Sequence, residues 1–287
     1  MVRTGSARSV RAVQGFARPA GLTSALGGFL TTTDVTRRPH AASVPLRAAG
    51  WALHLYTASG TVLALLAVIA VFDDHTVRAL WILLAALVVD GTDGMMARAL
   101  RVKETIPTFD GARLDDIVDY ITYAFVPMLL LWAGGYLPQG FWGEAVAAIP
   151  LVASSYQFCR SDAKTDDHFF LGFPSYWNVV AFYVVVLELS TTVTVVILLA
   201  CAALVFVPIK YVYPSRTDAF WMLNLSLAGL WLVLYGVILA TFPDPNVFFV
   251  GLSLAYVAYY VAVSVYLTMI SPRRRAREAA GAPASGD

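Results

Sequence analysis

The chain has 287 residues, 59% of them hydrophobic and 14% charged, with a mean hydropathy of +0.68 and a formal net charge of +1. That composition excludes a water-soluble domain of this size and implies an integral membrane protein, with no nucleic-acid partner expected. Two cysteines, Cys159 and Cys201, lie among apolar residues without metal-ligand spacing, so both read as buried thiols.

Residues 1–46 form a basic tail rich in Arg, Ser, Thr, Gly and Ala, read as mostly disordered and without an apolar run long enough for a cleavable signal peptide. A helix needs about 20 apolar residues to cross about 30 Å of hydrocarbon, and Ala48–Phe72, Thr76–Ala97, Leu114–Ala133 and Phe141–Gln157 are the first candidates. Ser175–Val207 would run about 50 Å as one helix, too long for one crossing, so a hairpin is expected at the polar interruption Glu188–Thr192. Phe220–Thr241 and Asn246–Met269 bring the count to about eight. The expected fold is therefore an all-α, polytopic membrane domain over residues 47–270, followed by a basic C-terminal tail at 271–287.

An even number of spans puts both termini on one side. Lys and Arg concentrate on that side: in the first tail, at Arg98, Arg101, Lys103 and Arg113, at Arg160 and Lys164, at Lys210 and Arg216, and in the segment SPRRRAR. Only Arg78 falls opposite. The positive-inside rule then places the N and C termini in the cytoplasm. The two basic tails also suit anionic lipid headgroups, at roughly 1 kcal/mol per residue near the surface.

Four carboxylates stand between two of the most apolar segments, in VVDGTDGMMARALRVKETIPTFDGARLDDIVDY. On the second span Asp90, Asp93, Gly94 and Ala97 share a face at three- and four-residue spacing, and on the third Gly111, Asp115 and Asp119 recur every four. An unpaired charge in hydrocarbon costs about 3 kcal/mol or more, and four like charges also repel. Two divalent cations resolve both problems, because hard ions prefer carboxylate oxygens and a pair about 3.5–4 Å apart can clamp a transferring phosphate. Gly94 and Ala97 leave room for a nucleotide beside the acids, and Arg98 stands one turn on as a phosphate donor. For Gly94 or Ala97 taken singly, helix packing is the better explanation of a small residue, and the whole set with acids on both helices is what points to a site. Asp116 points away from Asp115 and is expected to be solvated or paired with Arg113.

The pattern D-x-x-D-G-x-x-A-R…G-x-x-x-D-x-x-x-D at Asp90, Asp93, Gly94, Ala97, Arg98, Gly111, Asp115 and Asp119 resembles the signature of the CDP-alcohol phosphotransferases. Twelve residues separate Arg98 from Gly111, where most of that family has eight, and the longer spacer resembles its bacterial phosphatidylcholine synthase branch. The segments LHLYTASG, YQFCRSDAKTDDHFFLGFPSYWNVVAFY and KYVYPSRT resemble the same branch.

The resemblance implies a six-helix core plus two further helices in the bacterial inner membrane, with the active site facing the cytoplasm, and a homodimer. It implies transfer of the phosphatidyl group from CDP-diacylglycerol to choline, releasing CMP. Mn2+ or Mg2+ would be held by Asp90, Asp93, Asp115 and Asp119, with Asp119 also the general base. Asp93, Gly94, Ala97, Arg98 and Gly111 would meet the nucleotide-linked donor, and His54, near the cytoplasmic end of the first span, is a further candidate for it, although packing or pore lining explains that histidine nearly as well.

Choline's trimethylammonium cannot donate strong hydrogen bonds and is usually held by aromatic faces and a carboxylate. Tyr156, Tyr176, Trp177 and Asp162 are the candidates, although ordinary interfacial anchoring also explains such aromatics. The signature reads the CDP half and is silent on the alcohol, so serine, glycerol phosphate or inositol phosphate are alternative acceptors. A cation-coupled transporter is the alternative from another class.

Overall fold

The computed structural model describes residues 43–281, with side chains described as far as Ile270. Almost all of the tail expected at 1–46 therefore lies outside the described residues, as do residues 282–287. Helix α1 (Val44–Phe72) pairs along its length with α2 (Thr76–Ala99), and a single-turn α3 (Val102–Thr105) leads to α4 (Gly111–Asp119). A π-helical turn, Tyr120–Phe125, joins α4 to α5 (Val126–Ala133). Then come α6 (Phe141–Cys159), α7 (Trp177–Val186), α8 (Thr191–Val205), α9 (Trp221–Ala240) and α10 (Val247–Gly281).

Helices stand at all eight expected stretches, but five are long and apolar enough to cross a membrane: α1, α2, Gly111–Ala133, α9 and Val247–Ile270. Helices α7 and α8, of 10 and 15 residues, would reach only about 15 and 22 Å at 1.5 Å per residue. The expected hairpin lies between them, with Glu188 at a φ of 47°. Eight of the ten residues of α7 are buried, and it is apolar all round, so it serves as the bundle's centre. The backbone of α10 stays helical to Gly281, twelve residues past the expected end of the last span.

Small residues bring α1 against α4 and the end of α3. A Cβ at Gly50 would lie 2.8 Å from Ile106 Cδ1, and one at Gly60 would lie 2.4 Å from Val118 Cγ1. Glycine at these points is what lets the helices approach. Helix α4 opens on Asp110, whose side chain accepts from the Arg113 amide at 3.1 Å. Its widening after Asp119 has a local cause, because Pro127 has no N–H to bond the Tyr123 carbonyl and one rung of the ladder is lost.

The helices, which make up most of the protein as expected, are joined by a small antiparallel sheet. Strand β1 (Phe169–Leu171) pairs with β2 (Lys210–Val212), in the register Phe169↔Val212, Phe170↔Tyr211 and Leu171↔Lys210. The outer edge of β2 is satisfied by α10. Thr268 Oγ1 accepts from the Lys210 amide at 2.8 Å, Ser264 Oγ accepts from the Val212 amide at 3.1 Å, and the Tyr260 hydroxyl donates to the Val212 carbonyl at 3.0 Å. Three hydrogen-bonding residues spaced by four on a membrane helix thus dock a strand that hydropathy alone does not reveal. Cys159 is also exposed rather than buried, since it ends α6 at the surface.

Candidate active site

Helices α2 and α4 are both seated on α1, and acids from the two converge. Asp90, Asp115 and Asp119 each present a carboxylate oxygen, and the three oxygens lie within 4.8 Å of one another. Oxygens sharing one small divalent ion sit no more than about 4.2 Å apart, so the ring is near that size. Asp119 Oδ1 is buried and has no hydrogen-bond partner. Three converging acids with an orphaned oxygen, all hard donors, fit a divalent cation.

Asp93 is placed differently. It is 5% exposed and turns toward α1, where its Oδ2 accepts from Thr57 Oγ1 at 2.7 Å. A Cβ on Gly94 would meet only Arg98 Nη1, at 3.4 Å, and one on Gly91 would meet nothing within 4 Å. Helix packing therefore does not account for either glycine. Ala97 is half-buried and Arg98 exposed, so this face of α2 stays open.

Gly111 has the opposite surroundings. A Cβ there would lie 2.6 Å from His54 Cε1 and 3.2 Å from its Nδ1. The His54 ring rests on the Gly111 backbone, with Phe109 at 4.4 Å between centroids and Trp51 at 5.8 Å. His54 Nε2 is buried without a partner.

The four acceptor candidates are not brought together. Tyr156 is exposed beside Phe206, with the Arg160 guanidinium 5.3 Å above its ring. Asp162 is bound by that same Arg160 at 2.6 and 2.7 Å, which holds its carboxyl below the usual range. Trp177 is fully buried in the core and donates to Ser154 Oγ at 2.7 Å. Tyr176 alone stands by the acids. Adjacent residues at a helix start point about 100° apart, so Tyr176 and Trp177 cannot both face the same site.

Three residues outside the expected set complete the surroundings. The Tyr123 hydroxyl donates to Asp90 Oδ2 at 2.5 Å, Thr57 holds Asp93, and Lys164 pairs with Asp116 at 3.7 Å where Arg113 was expected. Arg113 instead lies 3.9 Å from Asp110. Burial alone would lower the Lys164 ammonium, but the charges of Asp116, Asp115 and Asp119 outweigh it and hold it above its ordinary value. Tyr123 was legible as the next step of the series Gly111, Asp115, Asp119, and Thr57 lies one turn from His54. Lys164 carries no such signal, because a loop delivers it. Beyond that loop a cavity of about 650 Å³ is lined by Asp162, Lys164, Asp166, Asp167, Lys210 and Asp218, with Lys210 paired to Asp167.

No family model matches the chain. It is similar to a phosphatidylcholine synthase of Legionella pneumophila, 40% identical over 227 residues, which cover 77% of this chain and 89% of the relative. A phosphatidylcholine synthase of Pseudomonas aeruginosa is 40% identical over 220 residues, covering 77% and 92%. One of Borreliella burgdorferi is 32% identical over 222 residues, covering 76% and 94%.

Proposed function

The chain belongs to the phosphatidylcholine synthases, a branch of the CDP-alcohol phosphotransferases, and on that premise we propose that it transfers the phosphatidyl group of CDP-diacylglycerol to choline, releasing CMP. The observation that carries the chemistry is the convergence of Asp90, Asp115 and Asp119 on one small volume.

In this reading Asp90, Asp93 and Asp115 would hold divalent cations, Mn2+ or Mg2+, with Asp119 as a further ligand. Bound there, such ions supply positive charge to a pyrophosphate and neutralise the four acids. The chain's own residues do the rest. Tyr123 and Thr57 fix Asp90 and Asp93 by hydrogen bonds, so that each carboxylate is oriented before substrate arrives. The open face at Gly91, Gly94 and Ala97 admits the nucleotide, Arg98 meets its phosphates, and His54, seated on Gly111, offers its unpartnered Nε2 to the donor.

Asp119 accepts the proton of the choline hydroxyl as its oxygen bonds to the phosphorus next to diacylglycerol, and the bond to CMP breaks with its electron pair leaving on CMP. The acyl chains remain in lipid, which accounts for a polar site inside a multi-pass membrane protein. We place residues 47–270 in the bacterial inner membrane as the catalytic domain, with both termini and the site on the cytoplasmic side, and two copies associating.

The test is CMP release. Purified protein with CDP-diacylglycerol and Mn2+ or Mg2+ should liberate CMP when choline is added, and chelation should stop it. Release with serine, glycerol phosphate or inositol phosphate but not with choline would make it a sister synthase, and release with none would remove the enzyme reading.

A further inference from the structure

The short sheet has two unlike faces. Successive strand residues point to opposite sides. Phe169, Leu171 and Lys210 therefore face the cavity of the loop, while Phe170 and its cross-strand partner Tyr211 share the other side. On that second side the rings of Phe170 and Tyr176 are 6.3 Å apart at 82°, and Tyr176 is 6.3 Å from Tyr260 at 49°. Tyr176 is also 5.8 Å from Tyr123, the residue that donates to Asp90.

The walls are buttressed from behind. Tyr213 stacks on Phe170 at 4.5 Å, and Tyr211 lies nearly parallel to Tyr260 at 6.2 Å. Phe170, Tyr176 and Tyr260 stay partly exposed, whereas Tyr123 and Tyr211 are buried. Among the described residues the protein's own cations lie over other rings: Arg160 over Tyr156, Lys210 over Phe169 and Arg216 over Tyr213. A cation about 4.5 Å above two perpendicular rings separates their centroids by about 6.4 Å, within the reach of cation–π attraction. The pair Phe170 and Tyr176 has that spacing beside the acids; Lys164 bridges the Phe170 backbone but turns its ammonium to Asp116, and among the described residues no arginine or lysine lies over either ring.

Resting on the choline reading above, we infer that Phe170, Tyr176 and Tyr260 form an aromatic cage for the trimethylammonium group of choline. Tyr123 ties the cage to Asp90, so that the hydroxyl end of the bound alcohol reaches the carboxylates. The negative charge of the acid cluster adds attraction without a direct ion pair, which suits a quaternary ammonium that has no N–H to donate.

The experiment measures binding of radiolabelled choline to the purified full-length protein, together with the KM for choline and for CDP-diacylglycerol. Phe170→Leu, Tyr176→Leu and Tyr260→Leu should each raise the choline Kd and KM about tenfold or more, with the CDP-diacylglycerol KM within about twofold of wild type. Tyr176→Phe and Phe170→Tyr keep the ring faces and should bind choline markedly more tightly than the corresponding leucine variants. Wild-type choline affinity in the leucine variants would overturn the cage and leave the enzyme reading standing. Loss of choline binding in the two ring-preserving variants would overturn it as well, even if a leucine variant failed to fold. A wild-type protein that uses another alcohol and binds no choline would remove the acceptor assignment and the cage together.

Discussion

The core around α7 and the acid-lined ends of α2 and α4 treat polar atoms in opposite ways. Around α7, Trp177 donates to Ser154 and Trp231 donates to the Tyr183 hydroxyl at 2.9 Å, and Phe182 lies fully buried 3.7 Å from the ring of Tyr235. Its unpartnered buried polar atoms among the described residues are neutral ones, the Tyr235 hydroxyl, Ser175 Oγ and Gln157 Oε1, and no carboxylate is among them. At the acid end three carboxylates crowd within 4.8 Å, Asp119 Oδ1 has no partner, and Gly91 and Gly94 face open space. One region is closely packed by neutral side chains, and the other gathers like charges beside a helix face with room for a ligand. The first should therefore carry stability and the second activity, and substitutions should separate the two.

The largest separation is expected at Asp119. Asp119→Asn is isosteric but cannot accept the acceptor's proton, so turnover should fall about a hundred- to ten-thousand-fold. The thermal midpoint in detergent should stay level or rise, because one of several mutually repelling charges is gone. A variant as unstable as a core variant, or one with wild-type turnover, would break the contrast. The mirror experiment is Phe182→Ala. A soluble core loses about 3–5 kcal/mol for such a truncation, but lipid is as apolar as the ring, so only lost packing contributes and about 2 kcal/mol is expected. Unfolding should shift accordingly, while turnover per folded molecule stays near wild type.

How far each region was legible in the sequence follows the same division. The acids at Asp90, Asp115 and Asp119 were readable because charge inside an apolar run is costly and the helical period says which residues share a face. The helix positions were readable from span length, down to the turn at Glu188. What hydropathy could not give is whatever a loop or a helix end decides. Trp177 and Tyr176 differ by one residue, yet one fills the core and the other reaches the acids. Phe170 faces Tyr176 only because β1 pairs with β2, and that pairing depends on Tyr260, Ser264 and Thr268 some fifty residues later. Gly94 and Gly111 read alike as small residues near acids, but one borders open space and the other lies under an imidazole.

The smallest effect tests that last distinction, where the packed region meets the acid end. In Gly111→Ala the new Cβ would fall 2.6 Å from His54 Cε1, and the ring has little room to withdraw, with Phe109 at 4.4 Å and Trp51 at 5.8 Å. Overpacking of this kind costs about 1–3 kcal/mol, which a lower thermal midpoint would report. Removing the imidazole removes the clash, so His54→Ala combined with Gly111→Ala should recover most of the lost stability, and the pair should be strongly non-additive. Turnover should not recover with it, since the double variant lacks the Nε2 assigned to the donor, and its CDP-diacylglycerol KM should stay raised. Additive stability losses would mean that Gly111 is not a steric seat for His54. Full recovery of the donor KM along with stability would mean that His54 packs against α4 without touching the nucleotide, and the open face of α2 at Gly94 would then have to bind the donor alone.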